Sequence, residues 1–196
     1  MNEEFDKLID KVEKEIAGAS IHFELFLSLF GSQENLTIVN QSAPNVFICF
    51  KQALIDTSII KLCRLLDPAG RGRNRNIGIH MLIELFDDEP DFQEHLKGKG
   101  NEIEAHVAKL RAYRHKRIAH NDFETHTEIR HDVIGNTHID SALNALQEFV
   151  NIIRIAKYGR EVHILNQEYP LRDGPDRLMR LLRKGIDANQ SELDNA

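Results

Sequence analysis

The chain has 196 residues, 41% hydrophobic and 29% charged, a balance that is ordinary for a folded protein of one domain. Its net charge of −6 argues against a protein that coats nucleic acid non-specifically, but it leaves room for a local basic site. No apolar run approaches the roughly 20 residues of a membrane span, and the acidic start MNEEFDKLID is unlike a signal peptide. These features predict a cytoplasmic protein with no membrane partner.

Hydrophobic periodicity predicts helices along most of the chain. Apolar residues at spacings of three and four predict a first helix from about Phe5 that stops at Gly31, and the polar segment from Ser32 to Ser42 is predicted to be a loop. The helix over about Asn45 to Leu66 has apolar residues on more than one face, which predicts the most buried helix of the fold. Its end is predicted at Asp67-Pro68, because the residue before a proline avoids helical geometry.

The middle of the chain is predicted to alternate short helices with breaks. A glycine- and arginine-rich loop covers Pro68 to Asn76, and helical pieces follow over Ile79 to Phe86 and Phe92 to Leu96. Gly98 and Gly100 are expected to separate these from a helix over Glu102 to about His120.

The final third is predicted to contain two amphipathic helices. Asn121 to Asn136 has no clear period, whereas Asp140 to Tyr158 is strongly amphipathic, and Glu161 to Leu165 could form a short strand. A last helix from Pro175 to about Ile186 should place Leu178, Leu181 and Leu182 inside. The fold class is therefore all-α, a helical bundle with an additional C-terminal helix, organised as one domain over residues 1–188 with a disordered tail over 189–196.

The two cysteines, Cys49 and Cys63, both fall within helical patterns. Cysteines in such positions are typically buried free thiols.

The basic residues gather in one stretch, HVAKLRAYRHKRIAH, from His106 to His120, which contains no acidic residue. A run of this kind is either a solvated helix face or a site for a polyanion. Arg114 supplies a fixed cation whose planar donors match phosphate geometry, and His120 can exchange a proton near neutral pH. Together they provide what RNA cleavage without a metal requires. On a straight α-helix the two Cα atoms would lie about 9 Å apart and about 120° around the axis, so a second subunit would help to complete a site.

Five histidines fall close together in the sequence: His115, His120, His126, His131 and His138. Imidazoles bind metals, but these spacings match no zinc pattern. We therefore expect scattered surface histidines, with no metal and no cofactor.

The segment RHKRIAHND resembles the Arg-x4–6-His motif of the HEPN superfamily, and QALIDTSIIKLCRLLDP resembles the second helix of its abortive-infection branch. The resemblance covers roughly Phe47 to Tyr158. It implies a helical bundle that dimerises and a metal-independent ribonuclease of toxin–antitoxin or phage-defence type. Carried over, Arg114 and His120 would be the catalytic pair. The residue after the arginine, often Asn or Asp in the family, is His115 here.

Other residues could support this pair. Asp56, Arg117 and Asn121 are supporting candidates. Asp56 could orient Arg114 or His120, or it could lie on a polar stripe with its neighbours in the sequence. The candidate nucleic-acid contacts are Lys109, Arg111 and Lys116.

The function expected from these residues is an endoribonuclease acting on RNA as a homodimer, with a possible cognate antitoxin as partner. Two alternatives stay open. One is a catalytically silent helical interaction module, antitoxin-like or scaffold, and the other is a protein that binds nucleic acid or nucleotides without cleaving them.

Overall fold

The computed structural model describes residues 3–71, 74–119, 134–165 and 174–194. The predicted all-α class is confirmed, and one two-residue β pair accompanies the helices. The elements in chain order are α1 (Glu3–Phe30), α2 (Gln33–Ser42), α3 (Pro44–Leu65), β1 (Gly70–Arg71), β2 (Asn74–Arg75), α4 (Ile79–Glu84), α5 (Pro90–Tyr113), a π-helical turn (Arg114–Ala119), α6 (Asn136–Tyr158) and α7 (Pro175–Asp194). Within the described ranges, no helix combines the length and the apolar character that crossing a bilayer requires.

The chain folds into two compact units, each made of two separate segments. Unit 1 contains Met1–Ser20 and Asp56–Leu165, and unit 2 contains Ile21–Ile55 and Asn166–Ala196. Since both units take parts of α1 and α3, the expectation of one domain over residues 1–188 stays a prediction.

The core of unit 1 lies where α5 packs along α6, with α4 against α5. The buried side chains of α5 recur at spacings of three and four, as the sequence period predicts. They face a similar stripe on α6. The buried residues are Ile103, Val107 and Leu110 on α5, and Leu143, Leu146, Phe149, Val150 and Ile153 on α6.

Helix α5 runs without interruption through both glycines that were expected to break it. A side chain at Gly98 would meet no other atom, so this position is an open helix surface. At Gly100 a Cβ would lie 3.3 Å from Cδ1 of Ile83, so glycine there lets α4 approach α5 closely. The prediction of a break was wrong because helix packing outweighs a propensity cost of about 1 kcal/mol per glycine.

A buried ion pair joins α6 to α1 inside unit 1. The Arg154 guanidinium donates to both carboxylate oxygens of Glu13, at 2.6 and 2.9 Å, and to Asp10 at 2.9 Å. Its side chain is only 10% exposed, and it stacks over the ring of Tyr158 at 4.9 Å. The hydrogen bond to Glu13 raises the pKa of Arg154, and burial followed by a hydrogen bond to Asp6 raises the pKa of Tyr158 to about 12.

The segment Glu161 to Leu165 is not a strand. Its backbone hydrogen bonds go to side chains of α6 instead. Asn151 Oδ1 accepts from the N–H of Val162 at 2.9 Å, and Gln147 Oε1 accepts from Ile164 at 2.7 Å. These amide side chains satisfy the donors that a strand would have used in a ladder.

Unit 2 contains a helix that the sequence pattern did not predict. Ser32 to Ser42 was expected to be a loop, but Ser32 Oγ accepts from the N–H of Asn35 at 3.1 Å and caps α2. Burial of Ile38 and Val39 then stabilises this short helix. The loop prediction was wrong because two buried residues in a polar segment give too weak a period to detect.

The last helix, α7, packs on α2 with a different face from the predicted one. Met179 is buried, whereas Leu178 and Leu181 are exposed. The prediction for these two leucines was wrong. The helix also continues to Asp194, well into the segment expected to be disordered.

Helix α3 is less buried than predicted. Its buried side chains lie mainly in its second half. Helix α3 has fewer buried residues than α6 has. Near its start, Val46, Ile48 and Phe50 are 53%, 63% and 52% exposed. The expectation that it is the most buried helix was wrong, because an apolar surface on several faces does not require every face to be covered within one chain.

Leu62, in the second half of α3, is fully buried. We expect Leu62→Ala to lower the free energy of unfolding by about 2–5 kcal/mol, since deletion leaves a cavity in a tight core. Urea denaturation should show a lower midpoint with an unchanged slope. Lys51→Ala, on the exposed part of the same helix, is the control. A loss below about 1 kcal/mol would mean that the site collapses freely and is not tightly packed.

Candidate functional site

The candidate site is built around the end of α3. The last carbonyls of a helix lack intrahelical partners, and here Arg111 of α5 donates to the Leu66 carbonyl oxygen at 3.0 Å. Gly78 allows the following chain to come close, because a Cβ there would lie 2.3 Å from the Leu65 carbonyl oxygen. The end of α3, the start of α4 and the end of α5 therefore meet in one place.

Arg114 is the first residue of the π-helical turn and faces Asp67. Their nearest charged atoms, Nη1 and Oδ1, are 3.6 Å apart, and the two side chains are 29% and 33% exposed. This separation is too long for a hydrogen bond, so the carboxylate attracts the guanidinium without taking up one of its N–H donors. Arg114 is thus held near a fixed position while its donors can still bind an anion.

The π-helical turn changes the geometry expected for Arg114 and its downstream neighbours. Over Arg114–Ala119 the backbone hydrogen bonds follow the i→i+5 pattern of a π-helix instead of the i→i+4 pattern of an α-helix. Such turns are rare and occur frequently at functional sites. The separation estimated for a straight α-helix therefore does not apply to this stretch.

A cleft of about 560 Å³ opens beside this arginine, and we call it the Arg114 cleft. It lies between the end of α3, α4 and the C-terminal half of α5. Its charged and titratable lining residues are Asp67, His80, Glu84, Glu104, Arg111 and Arg114. Two cations, three carboxylates and an imidazole therefore share one partly enclosed space.

His80 of α4 and Glu104 of α5 are in contact across the Arg114 cleft. Nε2 of the imidazole lies 3.2 Å from Oε1 of the carboxylate, and the side chains are 33% and 40% exposed. The contact orients the ring while leaving it accessible to a ligand. Sequence reasoning missed this histidine, which carries no motif and is far from Arg114 along the chain.

Cys63 lies next to the site but is not a nucleophile. Burial raises the pKa of its thiol to about 11, although Arg114 and Arg111 act in the opposite direction. The thiol is therefore neutral at physiological pH. The prediction of a buried free thiol is confirmed for Cys63 and wrong for Cys49, which is free but exposed.

A second cleft, of about 340 Å³, shares Asp67 with the Arg114 cleft. Its lining includes the cations Lys11, Arg64 and Arg75 and the carboxylate of Glu15. Glu15 is paired with Arg64 at 3.2 Å and with Lys61 at 3.1 Å. One carboxylate against two cations offsets only part of the positive charge.

The predicted nucleic-acid contacts fall into two groups. Lys109 and Lys116 are exposed, whereas Arg111 is half-buried on the Leu66 carbonyl and lines the Arg114 cleft. Arg117 is exposed and stacks over the ring of Tyr113 at 5.5 Å. Of the three predicted contacts, Lys109 and Lys116 are therefore available at the surface, whereas Arg111 has a structural role at the end of α3.

Among the other predicted residues, Asp56 does not line the Arg114 cleft. Asp56 is half-buried on α3, roughly 14 Å along the helix from its end, and the carboxylate near Arg114 is that of Asp67. His120 and Asn121 lie outside the described residues, as do His126 and His131. Over the ranges that are described, no group of three His, Cys, Asp or Glu side chains is placed to hold a metal ion.

The protein is therefore a helical protein with a candidate anion site. This site is the Arg114 cleft, which is lined by two arginines and lies at the π-helical turn. Comparison with family models identifies the family. Residues 2–156 match the model of the AbiU2 family of HEPN proteins, so the chain belongs to this abortive-infection-type HEPN family. No curated protein and no solved structure was found to match the chain.

Proposed function

We propose that this protein is a metal-independent endoribonuclease, a toxin or phage-defence component that acts as a dimer. Arg114 neutralises the charge that develops on the scissile phosphate, and His120 removes the proton of the ribose 2′-hydroxyl. The 2′-oxygen then attacks phosphorus and the 5′-oxygen leaves, which gives a 2′,3′-cyclic phosphate. Asp56, Arg117 and Asn121 are proposed as supporting residues.

The observation that carries the proposal is the position of Arg114 and the availability of its N–H donors. Its guanidinium lines an open cleft, and its carboxylate partner is too distant to form a hydrogen bond. A preorganised donor beside a cleft can stabilise a developing phosphorane charge without reorganisation. Membership of a HEPN family adds support, because the motif Arg114 to His120 lies within the matched residues.

RNA is the proposed substrate, with a cognate antitoxin as the proposed protein partner. Lys109 and Lys116 project into solvent on either side of Arg114 in sequence, where they can contact the backbone phosphates. Each phosphate contact releases counterions, so binding should weaken as salt rises. Arg111 would contribute less to this dependence, since it already caps α3.

The function is tested by incubating pure protein with RNAs of mixed sequence in EDTA. Products with 2′,3′-cyclic phosphate ends are expected. If EDTA abolishes the cleavage, the protein is a metal-dependent nuclease and the proposed mechanism is wrong. Binding without cleavage would favour the nucleic-acid-binding alternative.

A silent interaction module, antitoxin-like or scaffold, is the second candidate. It is favoured by the pairing of Arg114 with Asp67, which also suits an arginine with a purely structural role. A protein of this kind would neither bind nor cleave RNA. The cleavage assay, combined with a binding measurement on the same RNAs, therefore separates all three functions.

The proposed dimer predicts that light scattering at micromolar concentration will report about twice the monomer mass of 22.5 kDa. Val46 and Phe50, four residues apart near the start of α3, are exposed on the same face of the helix and form an apolar surface that association would bury. Val46→Glu should therefore shift the protein toward monomer, while Lys51→Glu, about 140° away around the same helix, should not. A monomer in the unsubstituted protein would contradict the dimer.

Mixing variants tests whether two copies share one site. Arg114→Ala and His120→Ala proteins are each expected to be inactive. If a site takes Arg114 from one copy and His120 from the other, a mixed dimer has one intact site and regains activity. No recovery on mixing would restrict the pair to a single chain.

A further inference from the structure

His80 lies in the Arg114 cleft but has no part in the proposed motif. It comes from α4, whereas the motif follows α5, so only the tertiary structure brings it to this cleft. Its imidazole is held by Glu104 at 3.2 Å and remains one-third exposed. An accessible imidazole oriented by a carboxylate, in the same cleft as the arginine proposed to bind phosphate, is the arrangement expected of a proton-transfer group.

RNA cleavage by the 2′-hydroxyl requires two proton transfers. One removes the proton from the attacking oxygen, and the other supplies a proton to the departing 5′-oxygen. The motif provides one histidine for the first and an arginine for the charge. An arginine does not release its proton in a protein, so the second transfer needs another group.

We propose that His80 is the general acid that protonates the leaving 5′-oxygen, with Glu104 as its positioning residue. The inference rests on the proposed ribonuclease function and extends it. The 2′-oxygen forms a bond to phosphorus as its proton passes to His120. The bond from phosphorus to the 5′-oxygen breaks as that oxygen takes the proton of the His80 imidazolium. His80 is left neutral and His120 protonated, and solvent restores both.

The charges around His80 suit this role. Glu104 of α5, Glu84 of α4 and Asp67 after α3 face the cleft, together with the cations Arg111 and Arg114. The carboxylate in contact with the ring is that of Glu104, and this contact becomes a charge-assisted hydrogen bond when the ring is protonated. Glu84 is itself paired with Arg75 at 3.2 Å, so Glu104 is the principal partner.

The test uses one substrate in two forms. The linkage that the protein cuts in a mixed RNA is first mapped, and short oligonucleotides around it are made with either a 5′-oxygen or a 5′-sulfur at the scissile bond. A thiolate leaves without needing a proton. His80→Ala should slow cleavage of the oxygen substrate by about a hundredfold or more, as loss of a positioned acid does, while nearly all of that loss should disappear with the sulfur substrate.

The pH profile gives a second readout. The unsubstituted protein should show a bell-shaped profile whose alkaline limb is lost in His80→Ala. Glu104→Gln should slow cleavage of the oxygen substrate more than that of the sulfur substrate, because Glu104 acts only by positioning His80. His106→Ala, an exposed histidine of α5, is the matched control and should leave both the rate and the profile unchanged.

Three results would overturn the assignment. An unchanged rate and limb in His80→Ala would place the acid elsewhere, for example on His120 of a second copy, and would leave the ribonuclease function standing. Equal losses with oxygen and sulfur substrates would show that His80 only supports the fold. No cleavage of either substrate by the unsubstituted protein would remove the ribonuclease function itself, and His80 with it.

Discussion

Replacing either His120 or Arg114 with alanine should lower the rate of RNA cleavage by at least about a hundredfold. Positioned acid–base catalysis contributes about 10²–10⁴-fold, and removal of a preorganised charge donor costs a similar factor. The loss should appear in the chemical step, because both groups are proposed to act on atoms that change charge in the transition state. Single-turnover cleavage with saturating protein measures that step without product release.

The control for these variants is His115→Ala, an exposed histidine next to Arg114. It should reduce the rate far less, since it replaces a neighbouring imidazole and leaves both proposed catalytic groups in place. EDTA should not affect any of the rates. Equal losses in all three variants would point to a general disturbance of the π-helical turn and count against the catalytic assignment.

Arg154→Ala should destabilise unit 1 by about 3–5 kcal/mol, the cost of breaking a buried ion pair by removing one partner. The substitution leaves the Glu13 carboxylate, which is 18% exposed, without the guanidinium that binds both of its oxygens. It also removes the cation stacked on Tyr158. Chemical denaturation of Arg154→Ala should show a large fall in the midpoint. Arg160→Ala, which replaces an exposed arginine, is the control and should hardly change the midpoint.

A double variant separates the cause of that loss. Arg154→Met together with Glu13→Leu removes both principal charges and fills the space with apolar side chains. Because the unpaired carboxylate is then absent, much of the stability should return. If the double variant is as unstable as Arg154→Ala, the contribution of Arg154 comes from packing or from Asp10 and not from its pairing with Glu13.

Strong periodicity predicted the long helices well. The first helix ends at Phe30, next to the predicted stop at Gly31, and α3 ends at Leu65, beside the predicted stop at Asp67-Pro68. Local signals were weaker guides where packing decides. Gly98 and Gly100 remain inside α5, and Ser32 begins a helix instead of a loop. The packing of α5 on α4 and α6 outweighs a propensity cost of about 1 kcal/mol per glycine. Helix α2 is stabilised by the local Ser32 cap together with the burial of Ile38 and Val39.

In the candidate site, too, the sequence revealed the local patterns but not the contacts between different helices. The sequence proposes Arg114 because an arginine and a histidine at a fixed spacing form a local pattern, and it proposes Lys109 and Lys116 because a basic run is local as well. It did not identify Asp67 as the partner of Arg114, nor His80 and Glu104 as a pair. These residues belong to different helices, so no spacing in the sequence relates them.

By itself, the sequence determined the fold class, most of the helix boundaries and the segment that carries the candidate chemistry. These properties depend on residues within a few turns of each other, where side-chain period and backbone preference are expressed directly. Only the tertiary structure decided which carboxylate faces Arg114, that a π-helical turn follows α5, and that His80 lines the same cleft. Those arrangements depend on how α3, α4 and α5 pack, because contacts between distant residues are set by the burial of whole helix faces.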